Sequence, residues 1–472
     1  MSTVVTVVSS LFLAYFIALD LVYASLFAVS FYQSGVHMRR RALGGDDVVL
    51  RSPLTPPMSI VLPAYNEEAC IVASVDAARL LEYPELEIVV VDDGSTDETL
   101  ARLTEAYDLV RSRAPLRLQV PCAPIRSVHI SRRLPNLVVL CKENGGCKAD
   151  ALNAGINAAR YPLVCATDAD TVLEKDALLR AVRPFLERPR ETVAVGGTVR
   201  IVNGCTVDDG RVTRVAAPRS LLAAVQVVEY MRAFIASRMA WSSIGGLFLI
   251  SGAFGVFRKD ALVEVGGYDV RAIGEDMELV LRLRHHFSAR RRRSRIVFVP
   301  DPVVWTEAPE SLGDLRRQRK RWHRGLLQCL WWHRGMLLRP SCGAVGVLGL
   351  PYLWLFEAGG TVMEVVGYVT VVVGAVLGVL DVEFLVLFTL LAMAYGVALS
   401  VSALAMDESR SLRPQSAGDV GRLLLCTLLE NVGYRQMNAL WRFTAMLDML
   451  RGRGHTWDPL SRKGFKAEPD ES

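Results

Sequence analysis

The sequence predicts an α/β protein in which a mostly parallel sheet, covered by helices, is joined to membrane-spanning helices. Between residues 56 and 340, short β-branched runs alternate with helical stretches, which is the pattern of parallel strands connected by helices. Hydrophobic residues make up 51% of the 472-residue chain and concentrate in blocks outside this region. We therefore expect one soluble domain over residues 56–340, with apolar segments on both sides.

The first apolar block runs from Val4 to Phe31 and contains one formal charge, Asp20. About 20 apolar residues are enough to cross the core of a bilayer. A cleaved signal peptide is the alternative, but no basic segment precedes this long run. We expect residues 1–36 to form a transmembrane anchor and residues 37–55 to form a basic linker.

The second block, Val345 to Met406, carries only four acidic residues as charges and is long enough for two spans, with a break near Asp381. Residues 341–406 are predicted to form an interfacial segment and about two transmembrane helices. From Val420 to Leu450, apolar and charged residues are mixed, which favours an amphipathic helix on the membrane surface over a third span. This helix and a polar tail, Ala467–Ser472, complete the last predicted region, residues 407–472.

Basic residues cluster at positions 39–51 and 316–324, beside the two apolar blocks. By the positive-inside rule both flanks are cytoplasmic, which predicts a multi-pass protein of the plasma (inner) membrane with its soluble domain in the cytoplasm. The arginine run at 290–293 is interpreted as a solvated loop, so no nucleic-acid partner is expected. The nine cysteines form no CxxC pair and no cluster with metal spacing, so neither a zinc site nor a disulfide framework is expected.

Polar residues follow several of the predicted strands. Asn66-Glu67-Glu68 follow the first strand, Asp92-Asp93-Gly94 the second, and Asp168 and Asp170 the fourth. In open α/β sheets ligands bind outside the carboxyl ends of the strands, so these residues should meet at one crevice. The strand candidates are Ser59–Leu62, Glu87–Val91, Leu137–Leu140, Leu163–Ala166, Val193–Val199 and Ile296–Val299.

Asp168-Ala169-Asp170 places two carboxylates at the end of a strand among small residues. A hard divalent cation is held by one or two carboxylates, with water and phosphate oxygens as the other ligands. The alternative is an aspartate turn that ends the strand.

Asp92-Asp93-Gly94-Ser95-Thr96-Asp97 follows the second strand directly. Ser95 or Asp97 could cap a helix that begins near Glu98. Capping does not account for two consecutive acids at the crevice, and a carboxylate there can accept hydrogen bonds from a nucleoside.

The segment from Lys142 to Asn153 delivers Lys148 at the start of a helix, after a glycine-rich turn. Backbone donors and a lysine at a helix N-terminus suit a phosphate group. An exposed loop with a solvated lysine is the alternative.

Gly274-Glu275-Asp276 opens a helical run, Met277 to His285. Acidic residues are favoured in the first turn by the helix dipole. The functional alternative is that Asp276 acts as a general base toward an acceptor hydroxyl.

Gln318, Arg321 and Trp322 lie at positions i, i+3 and i+4 of a predicted helix and so share one face. An amide, a guanidinium and an indole on one face can hydrogen-bond a sugar, hold a diphosphate and stack on a pyranose ring. A basic interfacial helix with a membrane-anchoring tryptophan is the alternative.

Taken in order, these segments resemble the processive branch of glycosyltransferase family 2, which includes the bacterial cellulose, hyaluronan and poly-N-acetylglucosamine synthases. The resemblance covers about Ser59 to Trp322 and rests on six segments: Pro63–Glu68, Val91–Ser95, Lys142–Asn153, Asp168–Asp170, Gly274–Asp276 and Gln318–Trp322. Glu430–Gln436 and Trp457–Phe465 also resemble segments of bacterial members, and no chemistry follows from their residues.

The resemblance implies a GT-A fold, a Mg²⁺ or Mn²⁺ ion and a nucleotide-sugar donor, usually a UDP-sugar. It implies an inverting transfer that gives a β-linkage. The implied roles are nucleotide-sugar binding by Ala64, Tyr65, Glu67, Asp93, Lys148 and Asp168, metal binding by Asp168 and Asp170, base catalysis by Asp276, and acceptor or diphosphate contacts by Glu275, Gln318, Arg321 and Trp322.

Two features depart from the family pattern. Cys147 is an extra residue between the glycines and Lys148, and the membrane portion is shorter than in cellulose-type synthases. The leading hypothesis is a synthase that extends a β-glycan at the membrane, among membrane lipids and with accessory export proteins as further partners. The alternatives are a single addition to a polyprenyl phosphate or other lipid-linked acceptor, and a non-enzymatic membrane scaffold with a degenerate transferase domain.

Overall fold

The computed structural model describes residues 2–43, 49, 52–208, 210–409 and 415–452. The predicted tail Ala467–Ser472, the segment Trp457–Phe465 and, within the predicted linker 37–55, residues 44–48, 50 and 51 lie outside the described residues. The chain divides into two compact units. The α/β unit holds Arg39–Ala216 and Leu247–Ala308, and the helical unit holds the described residues up to Met38, Ala217–Gly246 and those from Pro309 onward.

A ten-stranded sheet forms the centre of the α/β unit, in the order β3-β4-β5-β2-β1-β6-β11-β8-β12-β7, beside a two-stranded β9–β10 hairpin. The strands are β1 (Met58–Ala64), β2 (Leu86–Asp92), β3 (Leu109–Arg111), β4 (Ile125–Ser131), β5 (Leu137–Lys142), β6 (Leu163–Thr167), β7 (Val172–Leu173), β8 (Thr192–Ile201), β9 (Thr206–Asp208), β10 (Arg211–Arg214), β11 (Phe254–Arg258) and β12 (Arg295–Thr306).

The helices are, in chain order, α1 (Ser2–Leu43), α2 (Ile71–Arg79), α3 (Thr99–Tyr107), α4 (Lys148–Ala158), α5 (Ala177–Glu187), α6 (Leu221–Met231), α7 (Met239–Ser243), α8 (Lys259–Glu264), α9 (Glu275–Ala289), α10 (Leu312–Trp332), α11 (Leu350–Tyr352), α12 (Gly359–Val376), α13 (Val382–Glu408), α14 (Ala417–Leu429) and α15 (Arg435–Leu450). π-helical turns occupy Arg232–Arg238, Val345–Gly349, Leu353–Ala358 and Glu430–Tyr434, and 3₁₀ turns occupy Arg334–Met336 and Pro340–Cys342.

Four neighbouring strands, β5, β2, β1 and β6, are parallel, and this part of the sheet positions the site. Residues 88–91 of β2 are fully buried, as expected for a strand with both faces covered by helices. The register places Ala64 opposite Asp92. The carboxyl ends of β1, β2 and β6 therefore meet at one edge, and the predicted fold class is confirmed.

Helix α4 packs closely on β1 because Gly155 has no side chain. A Cβ at Gly155 would overlap the side chain of Val61. This close approach fixes the position of the N-terminus of α4, where Lys148 is the first helical residue.

The six strands that the sequence predicts are all present, whereas β3, β4, β7, β9, β10 and β11 were not predicted. Strand β11 runs antiparallel between β6 and β8. Its sequence, Phe-Gly-Val-Phe-Arg, is short and contains a glycine, so it carries little strand signal of its own.

Three helical stretches of the helical unit are long and apolar enough to cross a membrane: Ser10–Arg39, Val345–Val376 and Val382–Glu408. Asp381 separates the last two and caps α13, since its Oδ1 accepts a hydrogen bond of 3.0 Å from the backbone N–H of Phe384. The bounds of the predicted regions and the number of spans stay predictions.

The predicted amphipathic helix from Val420 to Leu450 is two helices, α14 and α15, and not one. Between them Val432 has an extended backbone and Gly433 has a φ of 83°. A glycine adopts this left-handed conformation without steric cost, which ends α14 and allows the chain to change direction before α15.

Candidate active site

Two loops at the carboxyl edge of the sheet are joined by hydrogen bonds. The first follows β1 and the second follows β2. The backbone N–H of Asn66 donates to Ser95 Oγ (3.0 Å). The N–H of Glu67 donates to Thr99 Oγ1 (2.9 Å), and that of Glu68 donates to Asp97 Oδ2 (3.1 Å). In return, Asn66 Oδ1 accepts from the N–H of Thr96 (2.8 Å) and Glu68 Oε2 from that of Glu98 (2.9 Å).

Asn66 has a φ of 57°, a left-handed conformation that asparagine tolerates better than most residues. Its side chain explains the conformation, because it reaches across to the second loop. Ser95, which the sequence suggests as a helix cap, instead accepts from the first loop. Asp97 accepts from both the N–H and the hydroxyl of Thr99 and so supports the start of α3.

Tyr65 and Glu67, both predicted to contact a nucleoside, lie in the first loop. The Tyr65 side chain is 51% exposed, so its ring is available to a ligand. Glu67 Oε2 accepts a 2.8 Å hydrogen bond from the Cys70 thiol at the start of α2. The neighbouring Ala64 is buried at the end of β1.

Asp93 pairs with Lys142, a contact that the sequence does not predict. Asp93 Oδ1 accepts from Lys142 Nζ and from the N–H of Gly145 (3.1 Å). Its neighbour Asp92 accepts from the N–H of Ser95 (2.9 Å), which shapes the turn after β2. The two consecutive acids thus have different roles: Asp92 stabilises the turn, and Asp93 pairs with Lys142.

Lys142 is fully buried between two carboxylates, those of Asp93 and Asp150. The distance from Nζ to Asp150 Oδ2 is 2.6 Å. Burial acts to lower the pKa of Lys142, but the hydrogen bonds to Asp150 and Asp93 outweigh it and raise the pKa above its usual value. The lysine is therefore charged and joins the end of β5 to the Asp93 turn and to α4.

Lys148 extends from the first position of α4 toward two groups. Its Nζ forms an ion pair with Asp168, directly after β6, and donates to the carbonyl of Gly252 (2.7 Å). The lysine thus joins the start of α4 to the carboxylate that follows β6. The Asp168 side chain is 28% exposed, so it remains accessible to an incoming ligand.

Asp276 lies on the other side of Gly252, in the first turn of α9. Its Oδ2 accepts from the N–H of Gly252 (3.0 Å), and its Oδ1 accepts from the N–H of Met277 (2.8 Å). A Cβ built at Gly252 would lie 3.5 Å from Lys148 Nζ, 3.6 Å from Glu275 Oε1 and 3.7 Å from Asp276 Oδ2. One backbone residue therefore brings together three of the predicted site residues, Lys148, Glu275 and Asp276.

A cavity opens beside Gly252, with Tyr268 in its wall. Its lining residues are Leu152, Ala166, Ile250, Ser251, Gly252, Gly255, Phe257, Tyr268, Glu275 and Asp276. Burial raises the pKa of Tyr268 well above its usual range, and the nearby carboxylates of Glu275 and Asp276 raise it further. Tyr268 is therefore a neutral phenol facing negative charge.

Asn153 holds Tyr268 in place from α4. Its Nδ2 donates to the carbonyl of Tyr268 (3.0 Å), and its Oδ1 accepts from the N–H of the same residue (2.7 Å). Sequence reasoning missed Tyr268, Gly252 and Lys142 as site residues. The only signal for Asn153 was its position inside a segment that resembles the family.

Asp168 and Asp170 flank a short turn that Thr171 stabilises. The Thr171 hydroxyl donates to the carbonyl of Asp168 (2.8 Å). Within the part of the chain that the structure describes, no group of three or more His, Cys, Asp or Glu is arranged to hold a metal ion. A site of one or two carboxylates, completed by diphosphate and water, is the arrangement that fits this donor set.

Gln318, Arg321 and Trp322 lie on α10 in the helical unit. The Trp322 ring is 44% exposed and lies 6.4 Å from the ring of Tyr230 on α6. Gln318 is only 7% exposed, and its amide oxygen is buried without a hydrogen-bond partner among the described residues. The three side chains thus differ in accessibility: Trp322 presents an exposed ring, and Tyr230 lies partly buried beside it.

Comparison with known proteins identifies the family. A family model described as glycosyl transferase family group 2 matches residues 163–401, half of the chain, and a glycosyl transferase family 2 model matches residues 59–118. The chain belongs to glycosyl transferase family 2. It is therefore a glycosyltransferase, and its predicted GT-A fold is confirmed together with the predicted resemblance.

Curated relatives of this glycosyltransferase include poly-beta-1,6-N-acetyl-D-glucosamine synthases. The protein from Staphylococcus epidermidis is 31% identical over 278 residues, which are 58% of this chain and 56% of that protein. The protein from Staphylococcus aureus strain COL is 30% identical over 271 residues, covering 57% and 54%. The chain thus spans about half the length of the curated relatives it matches.

Among solved structures, a mannosyltransferase from Pyrobaculum calidifontis in complex with GDP-Man and Mn²⁺ is similar to this glycosyltransferase with a TM-score of 0.49. The sequence identity is 18%, and the match covers 92% of this chain and all of that one.

Proposed function

We propose that this glycosyltransferase moves a sugar from a UDP-sugar onto the end of a growing β-glycan at the membrane, by a metal-dependent, inverting reaction. The observation that carries the proposal is the arrangement around Gly252. Its N–H is bound by a carboxylate suited to a base, Asp276, and its carbonyl by a cation suited to a diphosphate, Lys148. An acceptor hydroxyl and a leaving group would therefore bind on adjacent sides of one cavity.

Asp276 is assigned as the general base. The helix N-terminus and the N–H of Gly252 orient its carboxylate without a bound ligand. In a single displacement, Asp276 takes the proton of the acceptor hydroxyl as the oxygen attacks the anomeric carbon. Attack from the side opposite the leaving diphosphate inverts an α-linked donor and gives a β-linked product.

Lys148 and Asp168 are assigned to the diphosphate. A divalent ion, Mg²⁺ or Mn²⁺, would be held by Asp168 and Asp170 and would supply positive charge to the leaving diphosphate. Lys148 exchanges its pairing with Asp168 for the phosphate oxygens when donor binds. The lysine then meets negative charge that develops on the leaving group, which is where a fixed cation contributes most to the rate.

The two hydrogen-bonded loops are assigned to the nucleoside. The exposed Tyr65 ring offers a stacking surface, with Ala64 and Glu67 beside it, and the Asp93 carboxylate offers a hydrogen-bond acceptor. Lys142 pairs with Asp93 and holds its carboxylate in a fixed position.

The helical unit is assigned to the acceptor and the membrane. Trp322 and Tyr230 form an aromatic surface on which a pyranose ring can stack, with Gln318 and Arg321 nearby on the same helix. This surface favours a growing glycan as the acceptor over a polyprenyl phosphate. The spans Ser10–Arg39, Val345–Val376 and Val382–Glu408 are proposed to cross the plasma membrane, with the α/β unit in the cytoplasm and with export proteins as further partners.

The names of the curated relatives make UDP-N-acetylglucosamine the first donor to test. Purified protein in nanodiscs is incubated with each of a panel of UDP-sugars and Mg²⁺ or Mn²⁺, and UDP release and product length are measured. Metal-dependent release with one donor and a polymeric product supports the proposal. A product with one added sugar would indicate the lipid-linked alternative, and no release with any donor would contradict the proposal.

Asp276→Asn is the decisive variant, because it keeps the shape and the hydrogen-bond acceptor at the Gly252 N–H but removes the base. Its matched control is Asp260→Asn, which changes another aspartate in the first turn of a helix, one that is exposed and pairs with Arg258. We expect turnover to fall by about 10²–10⁴-fold in the first variant and to be unchanged in the second.

A further inference from the structure

The segment Glu430–Gln436, to which its sequence assigns no chemistry, lies at the break between α14 and α15. Its polar side chains are used for contacts within the helical unit. Glu430 is buried and pairs with Arg232, whose Nη1 also donates to Ser400 Oγ (2.8 Å). Asn431 donates to the carbonyl of Thr427 (2.8 Å). Before its break, the segment is therefore fixed through Glu430 to the turn that carries Arg232, which in turn contacts α13.

Tyr434 completes a buried triangle with Glu229 of α6 and Arg319 of α10. Its hydroxyl donates to Glu229 Oε2 (2.7 Å) and accepts from Arg319 Nη2 (3.2 Å). Arg319 closes the triangle with two bonds to Glu229, of 2.8 and 2.7 Å. Burial raises the pKa of Tyr434, and the Glu229 carboxylate raises it further, so the hydroxyl keeps its proton.

Two corners of this triangle adjoin the aromatic surface assigned to the acceptor. The guanidinium carbon of Arg319 lies 4.7 Å from the centroid of the Trp322 ring. Glu229 directly precedes Tyr230, whose ring lies 6.4 Å from Trp322. Arg319 thus contacts one ring of the surface and, through Glu229, restrains the backbone that carries the other.

We propose that Tyr434 is a positioning residue for the acceptor surface, acting through Glu229 and Arg319. The inference rests on the proposed function of Trp322 and Tyr230. Without the Tyr434 hydroxyl, the Glu229 carboxylate and the Arg319 guanidinium keep their mutual bonds but lose the third group that fixes their orientation. Arg319 then rotates beneath Trp322, and the spacing of the two rings is no longer set. The affinity for the acceptor should fall, whereas the rate of donor hydrolysis should stay the same.

The experiment compares Tyr434→Phe with Tyr395→Phe. Both changes remove one buried or partly buried hydroxyl donor from the helical unit, since Tyr395 Oη donates to the carbonyl of Asp20 (2.6 Å). For each variant we would measure the KM for N-acetylglucosamine oligosaccharides added as acceptors, the rate of donor hydrolysis without acceptor, and the unfolding midpoint. Full-length protein in nanodiscs is used throughout.

We expect Tyr434→Phe to raise the acceptor KM by about five- to tenfold, with donor hydrolysis unchanged. This range corresponds to the loss of one hydrogen bond to a charged group at a distance from the ligand. Tyr395→Phe should leave both constants unchanged and shift the unfolding midpoint by a similar amount. Arg319→Lys, which keeps the charge but not the planar fork, should reproduce the KM increase.

Two outcomes overturn the inference. An unchanged acceptor KM in Tyr434→Phe would do so, as would an equal loss of donor hydrolysis and acceptor use, which indicates a role in folding alone. Trp322→Ala separates this failure from that of the proposed function. If Trp322→Ala raises the acceptor KM and Tyr434→Phe does not, only the positioning role is wrong. If neither variant affects it, the acceptor surface itself is wrongly assigned and the inference is refuted with it.

Discussion

Replacing Lys142 with methionine tests whether the buried ion triad with Asp93 and Asp150 stabilises the α/β unit. The methionine side chain has nearly the same length and leaves no large void, so the change removes mainly the charge. The Lys142 side chain is fully buried, and those of Asp93 and Asp150 are each 8% exposed, so water cannot replace the lost cation. Two carboxylates would then remain buried beside each other without their counterion.

Breaking a buried ion pair by removing one partner costs about 3–5 kcal/mol. The backbone N–H groups of Gly145 and Ala123 continue to bind Asp93 and Asp150 in the variant. We therefore add no further free-energy cost for the second carboxylate that loses its counterion. For a unit of this size, 1 kcal/mol changes the unfolding midpoint by about 2–4 °C. We therefore expect Lys142→Met to lower the midpoint by about 6–20 °C.

The assay is thermal unfolding of the purified protein in detergent, with Lys175→Met as the matched control. Lys175 also pairs with a carboxylate, Glu82 at 2.9 Å, but both side chains are about half exposed. An exposed pair contributes about 0–1 kcal/mol. A shift in Lys142→Met no larger than that in Lys175→Met would refute the reasoning.

The pH dependence of this difference follows from the pKa of Lys142. Because the folded chain raises that pKa above 10.5, the stabilisation is complete below this value and is lost only as the pH rises through the higher, folded pKa. The difference between wild type and Lys142→Met should therefore stay level from about pH 6 to pH 9. Adding Asp150→Asn should recover part of the lost stability, since one of the two uncompensated charges is removed.

Three further predictions concern the groups around Gly252 and the helical unit. Lys148→Met should weaken UDP binding in the presence of Mn²⁺ by about 10–100-fold, as expected for a lost hydrogen bond to a charged group. Calorimetric titration would measure the affinity. An unchanged affinity would contradict the assignment of Lys148 to the diphosphate. Gly252→Ala should fold normally, because the added Cβ would make ordinary contacts of 3.5–3.7 Å. It should reduce turnover, because the Cβ occupies space between Lys148, Glu275 and Asp276. Normal turnover would indicate that the reaction takes place elsewhere. Burial, with a smaller effect of Arg442, lowers the pKa of His323 to about 3, so stability should fall as the pH drops below about 6.5, by up to about 1.4 kcal/mol per pH unit. His323→Gln should show a smaller fall of the unfolding midpoint between about pH 7 and pH 5, and parallel curves for the two proteins would contradict the role of His323.

The sequence predicts the centre of the fold well, because buried parallel strands have a strong local signal. The run Ile88–Val91 is uniformly apolar, and the acids that follow it mark the end of the strand, which closes at Asp92. The edges of the sheet were harder to predict. Strand β4, Ile125–Ser131, has no clear apolar face, and most of its side chains are only partly buried or exposed.

The candidate site could be predicted where residues are adjacent in sequence, and not where distant residues pair. Lys142 meets Asp93 across 49 positions, and the family-like segment that it opens does not indicate this partner. The same holds for Tyr434 and Glu229, which are 205 positions apart. Arg319, within a run of basic residues, has the appearance of a surface charge although it is only 7% exposed.

The bonds between the loops after β1 and β2 have a consequence for how this glycosyltransferase can vary in evolution. Three successive backbone N–H groups, those of residues 66–68, meet three side chains of the other loop. One inserted residue would displace the groups beyond it by about 3.3–3.8 Å, more than a hydrogen bond tolerates. Insertions in homologous chains should therefore avoid both loops and accumulate in segments such as 113–118, between β3 and β4. The loops themselves should diverge by substitution alone.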